Sequence, residues 1–233
     1  MLRNLVALLT CLVLAATCCM PVASPVKSMA SGAVALVYTF TDDFGQQTTK
    51  PFCSGQFISK DTILTAAHCI SAYETKFEQT DDTLQVNVIV VGDVQDDMEK
   101  TPKSQHLTKL KKLDVVHDLA TLKVLNPDFT HSYSPIAKTR PLVGDAAFSF
   151  STPQANYFSY GTCVVSAFRP YVQFLGIETA FMQYSCPATA PGSSGSSIFN
   201  SSGEIEGTLS LTVGIPSLIL ATDVYDIQRF LKD

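Results

Sequence analysis

Three short segments carry residue types that can do acyl-transfer chemistry. In the first, which begins at Phe57, an apolar strand through Ile63 and Leu64 leads by way of Thr65-Ala66-Ala67 to His68 and Cys69. Two alanines let the backbone pack closely while the histidine is held at a strand end. In the second, His117-Asp118-Leu119-Ala120-Thr121-Leu122, an aspartate heads an alternating apolar strand. In the third, Pro191-Gly192-Ser193-Ser194-Gly195-Ser196, glycines flank a serine pair. A loop of that kind can aim several backbone N–H groups at one point.

Each segment alone has a plain explanation. A histidine after an apolar strand is commonly structural, an aspartate before a strand is a common turn residue, and Gly-Ser runs are common loops. Together they supply every role that an activated serine needs. A serine hydroxyl is a weak nucleophile until a neighbouring base takes its proton and a third group orients that base. Ser194, His68 and Asp118 fill those roles. The N–H groups of Gly192 and Ser194 would form an oxyanion hole in the same loop.

The rest of the chain must position these groups. It has 233 residues, of which 46% are hydrophobic and 16% charged, with a net charge of −5. That is enough for one sizeable domain or two small lobes with packed cores. The acidic balance argues against a nucleic-acid binder, which would show a basic surface. Lysines 100, 103, 109, 111 and 112 alternate with Leu107, Leu110 and Leu113 and read as the solvated face of a strand. Candidate strands are Ala33–Phe40, Ser54–Ser59, Thr62–Thr65, Leu84–Val91, Leu107–Val116, Leu119–Val124, Ala146–Phe150, Tyr157–Ala167, Ile177–Ser185, Gly203–Thr212 and Leu218–Thr222. They are rich in Val, Ile, Phe, Tyr and Thr and are bounded by turn residues. No helical pattern alternates with them, so the expected class is all-β, a sandwich or barrel. One helix closes the chain over Val224–Leu231, with Val224, Ile227, Phe230 and Leu231 on one face and Asp223 as a candidate N-cap. Residues 126–141 carry three prolines and read as a linker between halves of about 30–125 and 142–233.

The N-terminus has Arg3, an apolar run from Leu5 to Met20, and small residues at Pro21-Val22-Ala23-Ser24. This is the layout of a secretory signal peptide, cut after Ser24 or near Ala30. The run is short for a membrane span of ~20 residues. Residues 1–24 are therefore the expected signal segment and 30–233 the domain. The protein is expected to be secreted or extracytoplasmic, extracellular or periplasmic. Of seven cysteines, Cys11, Cys18 and Cys19 lie in the targeting segment, leaving Cys53, Cys69, Cys163 and Cys186. In an exported chain four cysteines imply two disulfides, with three possible pairings. A zinc site from Cys53, His68, Cys69 and His117 is the competing idea. It lacks a C-x-x-C spacing, and adjacent His-Cys suits one tetrahedral ion poorly.

These segments resemble the chymotrypsin-like, trypsin-fold serine peptidases. Thr65-Ala66-Ala67-His68-Cys69 matches the histidine motif at every position, Asp118-Leu119-Ala120-x-Leu122 the aspartate motif, and Gly192-x-Ser194-Gly195 the serine motif. Chain order also agrees. Pro191 and Ser196 resemble the bacterial glutamyl-endopeptidase branch more than trypsin. The resemblance implies a double six-stranded antiparallel β-barrel with a short C-terminal helix. It implies a serine-type endopeptidase working through an acyl-enzyme, with His68, Asp118 and Ser194 as its triad. It also implies a Cys53–Cys69 disulfide, and a cross-strand Cys163–Cys186 pair is expected beside it. Gly207-Thr208-Leu209-Ser210 is similar to the strand lining the family's cleft. The expected substrate-binding residues are then Ala188, Thr189, Ala190, Leu209, Ser210, Leu211 and Thr212. They carry no charge, which favours a small or apolar residue before the cut over Lys, Arg or Glu. The expected partner is a protein or peptide substrate bound as an extended strand. A monomer is expected, with no cofactor, no metal, no nucleic acid, and no membrane after signal cleavage. Ser193 departs from the family, which has Asp or Asn there, and the chain has no Trp. The competing reading is an inactive peptidase homologue acting as a protein-binding module.

Overall fold

The structure, a computed structural model, describes residues 25–41, 45–71, 87–90, 105–174, 176–187, 189–214 and 217–232. The expected signal segment and Ala188 lie outside them. Strands β1 (Ala33–Thr41), β2 (Gln47–Phe57), β3 (Thr62–Thr65), β4 (Asn87–Val90), β5 (His106–Asp114) and β6 (Leu119–Val124) close into one antiparallel barrel in the order β1-β2-β3-β6-β5-β4. Strands β7 (Ala146–Ser151), β8 (Ser159–Phe174), β9 (Ile177–Ser185), β10 (Ser197–Phe199), β11 (Ile205–Thr212) and β12 (Leu218–Asp223) close a second in the order β10-β11-β12-β9-β8-β7. The chymotrypsin-like double barrel is thus present, with helix α2 (Val224–Lys232) at its C-terminal end. A helix α1 (Pro25–Ser31) precedes β1.

Alternation along the strands sorts side chains into three cores. Val34, Leu36, Phe57, Ile63, Leu122 and Val124 fill the first barrel. Val165, Met182, Tyr184, Ile198, Leu209 and Ile219 fill the second. Between the barrels lie Leu64, Leu119, Phe150, Phe199, Ile205, Ile227 and Phe230. Strands such as β3 are therefore buried on both faces. Neighbours Ile63 and Leu64 serve different cores.

The differences from the expected elements have local causes. Strand β10 has three residues, too few to show an alternating pattern, and it borrows its place from β11 and β7. Strand β2 begins at Gln47 and crosses Pro51, which is tolerated because the β1–β2 register shifts there. Strand β8 likewise runs past Pro170 to Phe174 through a register shift against β9. Both carboxylate oxygens of Asp223 are engaged by Arg140, at 2.9 and 2.6 Å. That ion pair, stacked on Phe168 and Tyr225, ties residue 140 of the linker to the second barrel.

Candidate active site

His68 follows the last residues of β3 and starts a helical turn at residues 67–71. Its neighbour Cys69 is bonded to Cys53 of β2, which fixes the turn against the barrel. Asp118 sits at the end of the β5–β6 turn. Its φ of +55° is unusual for a side chain but accessible to Asp. Asp114 organises that turn by accepting the N–H groups of Val116 and His117 at 2.9 and 3.1 Å and His117 Nδ1 at 2.7 Å. Burial works against the Asp114 charge, but the hydrogen bonds from His117 and Val116 outweigh it and hold the carboxyl below its ordinary pKa. The His117 carbonyl accepts from Thr222 Oγ1 of β12 at 2.8 Å, anchoring the turn to the second barrel.

The turn delivers a carboxylate that is 1% exposed to the base of His68. Asp118 Oδ1 accepts the His68 backbone N–H at 2.8 Å, and Oδ2 lies 2.9 Å from Nδ1. A carboxylate can only accept, so Nδ1 carries the proton and the lone pair of a neutral ring is on Nε2. The His68 side chain is 30% exposed, and Cys69 Sγ lies 3.9 Å from its Nε2.

Ser194 comes from the loop before β10. That loop lies against the first barrel: Ser54 N donates to the Ser194 carbonyl at 2.8 Å. Gly195 has φ +81°, and a Cβ there would overlap Thr65 Oγ1 and the Ser54 carbonyl oxygen, so glycine is required. Gly192 has φ +100°, and a Cβ would overlap the Thr152 carbonyl oxygen. The N–H of Ser193 donates to Ala190 O at 2.9 Å and that of Gly195 to Leu209 O at 2.8 Å. Among the described residues the N–H groups of Gly192 and Ser194 have no acceptor, which suits them to receive an oxyanion. No hydrogen bond joins Ser194 Oγ to His68 Nε2, so the third link of the expected triad is not closed. Such contacts tighten when substrate binds.

The substrate-binding candidates fall into two groups. Leu211 and Thr212 pair only with β12, and Ser210 is the residue the register shift there skips, so the other edge of this stretch is free among the described residues. Ser210 is buried and its hydroxyl contacts Thr222 Oγ1 at 3.3 Å. Thr189 and Ala190 lie at the loop, partly exposed, with the Thr189 hydroxyl donating to Cys186 O at 2.9 Å. Leu209 is 2% exposed and packs in the second barrel's core, giving its side chain to that core and its backbone to the loop. Cys163 and Cys186 are bonded to each other between β8 and the end of β9. Cys53 Sγ, Cys69 Sγ and a His68 ring nitrogen lie within 4.8 Å of one another. The two sulfurs are joined in a disulfide, so they offer no thiolate to a metal. His117 gives its ring nitrogen to Asp114 instead.

Two contributors had no signal in the sequence: Ser54, which follows a cysteine in an ordinary strand, and Thr152, which follows β7. Ser54 bonds the loop that carries Ser194, and Thr152 bonds Ser54 and lies against Gly192 of that loop.

A family model described as a trypsin-like peptidase domain matches residues 53–207. The chain belongs to the trypsin-like peptidase family. The match takes in the three segments that contain His68, Asp118 and Ser194. Among solved structures, this peptidase domain resembles the active form of the Rv3671c protease from M. tuberculosis, with a TM-score of 0.67 and 12% identity over 91% of this chain and 86% of that one. A serine-to-alanine mutant of the same protease, in an inactive form, gives a TM-score of 0.64 and 13% identity over 90% and 89%. The serine endoprotease from Yersinia pestis gives 0.63 and 20% over 90% of this chain and 64% of that one. At these identities the likeness bears on the fold. No curated protein is similar enough in sequence to match.

Proposed function

We propose that this trypsin-like peptidase is a secreted serine endopeptidase. Ser194 attacks the scissile carbonyl, and His68 Nε2 takes the Ser194 proton and returns it to the leaving amine. Asp118 holds the imidazole in the tautomer that leaves Nε2 free and stabilises the imidazolium that forms. The Gly192 and Ser194 N–H groups receive the charge on the tetrahedral oxygen, and water then hydrolyses the acyl-enzyme. The buried Asp118 carboxylate on His68 Nδ1 carries this reading. The substrate lies as an extended strand on the free edge of Ser210–Thr212. The residue before the cut is small or apolar, since Thr189 and Ala190 offer no charge to a Lys, Arg or Glu side chain. The likeness to glutamyl endopeptidases at Pro191 and Ser196 is then one of motif, not of specificity. Two disulfides fit an oxidising, extracytoplasmic compartment.

The open Ser194–His68 link is the feature that an inactive, binding-only homologue would share. A peptide library digested with the purified chain and with Ser194→Ala separates the readings. Cleavage after small or apolar residues, lost in the variant, supports the proposal. Equal cleavage by both, or none by the wild type, sinks it.

A further inference from the structure

Four successive carbonyls of the nucleophile loop are each held by one donor. Pro191 O accepts Gln154 N at 2.7 Å, Ser193 O accepts Ser196 N at 3.1 Å, and Ser194 O accepts Ser54 N at 2.8 Å. Gly192 O accepts the hydroxyl of Ser54 at 2.8 Å. One residue of the first barrel thus supplies two of the four donors, across a sequence gap of 138 residues. Ser54 is fully buried. Its Oγ also accepts Thr152 N at 3.0 Å, and its own carbonyl accepts Thr65 Oγ1 at 2.7 Å.

The Gly192 carbonyl matters most. Backbone direction at a glycine is set by its hydrogen bonds, because no Cβ restricts it. The peptide after Gly192 is fixed at one end by Ser193 N on Ala190 O and at the other by Ser54 Oγ. Loss of the hydroxyl frees the carbonyl end. The Gly192 N–H belongs to the preceding peptide, whose Pro191 carbonyl is held by Gln154 N. The Ser54 hydroxyl also holds Thr152, whose carbonyl packs against the Gly192 Cα.

We infer that Ser54 is a positioning residue for the oxyanion hole: its hydroxyl steadies both peptides around Gly192, the following one through the Gly192 carbonyl and the preceding one, which carries the Gly192 N–H, through Thr152 and the Gln154–Pro191 bond. This rests on the peptidase reading for its effect on rate, but the clamp itself is a property of the loop. Ser54 touches no reacting atom. Its effect belongs to the transition state, since the oxyanion forms only there.

The test compares wild type, Ser54→Ala and Ser197→Ala, all with the disulfides intact. Ser197 is the control, a buried hydroxyl of β10 with no hydrogen-bond partner among the described residues. Losing one oxyanion donor outright costs on the order of 10²–10³ in kcat. Loosening one is therefore expected to lower kcat per titrated site by about 10- to 100-fold with KM little changed. Affinity for a peptide aldehyde, whose adduct places an oxyanion in the hole, should fall by a similar factor. Amide exchange over residues 190–195 should quicken in Ser54→Ala and not in Ser197→Ala. An unchanged kcat per site, or a loss explained wholly by fewer titratable sites, overturns the inference. So does unchanged exchange over 190–195, and that result stands whether or not the wild type hydrolyses peptides. A wild type that neither cleaves nor titrates while exchange still responds to Ser54→Ala defeats the peptidase reading and leaves the clamp.

Discussion

Glu206 should make the fold less stable as pH rises through neutrality. It sits at the register shift between β10 and β11 and is 2% exposed. Burial disfavours its charge and raises its pKa from 4.5 to about 7, with the charge of Asp145 adding to the rise. The Tyr184 phenol is near enough to favour the carboxylate somewhat. Yet neither that phenol nor Glu206 Oε1 makes a hydrogen bond of normal geometry, so desolvation dominates. A carboxyl with a higher pKa in the folded state binds its proton more tightly there. Its favourable contribution is full below pH 4.5 and is lost as pH rises to 7. At 1.36 kcal/mol per pH unit this amounts to about 3 kcal/mol. Glu206→Gln removes the titration while keeping the shape. Urea unfolding of both proteins at pH 4.5 and pH 8, disulfides intact, isolates the effect, because any fixed cost of the amide cancels between the two pH values. The variant should gain about 3 kcal/mol on wild type between acid and alkaline pH. A stability difference that stays constant across that range would show that Glu206 ionises freely and that its burial is relieved in solution.

Three other outcomes follow from the seam between the barrels. Gly195→Ala puts a methyl group against Thr65 Oγ1 and the Ser54 carbonyl at a positive φ. It should cost about 2–5 kcal/mol and abolish labelling of Ser194, measured by chemical denaturation and an active-site probe; wild-type labelling would mean the loop is not packed as described. Arg140→Ala strands the buried Asp223 carboxylate and should cost about 2–4 kcal/mol, and Arg140→Lys should recover only part because it cannot form the two parallel bonds; full stability in both would refute the role of the pair. Ser193 Oγ accepts Ala190 N at 3.2 Å and donates to Ser151 Oγ at 3.1 Å. This neutral network leaves no carboxylate at that position for a freed α-ammonium. A chain starting near Ser24 with a blocked or extended N-terminus should show full active-site titre. Activity that appears only after trimming near Ala33 would count against this.

His68, Asp118 and Ser194 could be picked out in the sequence as a candidate triad because each lies in a short contiguous motif whose neighbours are small or apolar for local reasons. Eleven of the twelve strands were similarly visible as runs of β-branched and aromatic residues with turn residues between them. What stayed hidden depends on partners far along the chain. Ser54 gains its place from Gly192 and Thr152, and nothing around Cys53-Ser54-Gly55 encodes that. Leu209 looked like a cleft residue by its position in the motif, but β11 alternation turns its side chain into the core. Strand β10 is too short for periodicity to register, and Glu206 was simply a polar residue in an apolar strand until the barrel closed around it.

On the proposed mechanism Ser194, activated by His68, forms the acyl-enzyme. Reaction with a fluorophosphonate followed by peptide mapping tests it directly. One adduct per chain is expected, on the peptide carrying Ser194 and on that residue, at a rate that falls by orders of magnitude in His68→Ala and with no adduct in Ser194→Ala. An adduct on Ser193 or Ser196, labelling that survives His68→Ala at the wild-type rate, or no labelling of the wild type would contradict it.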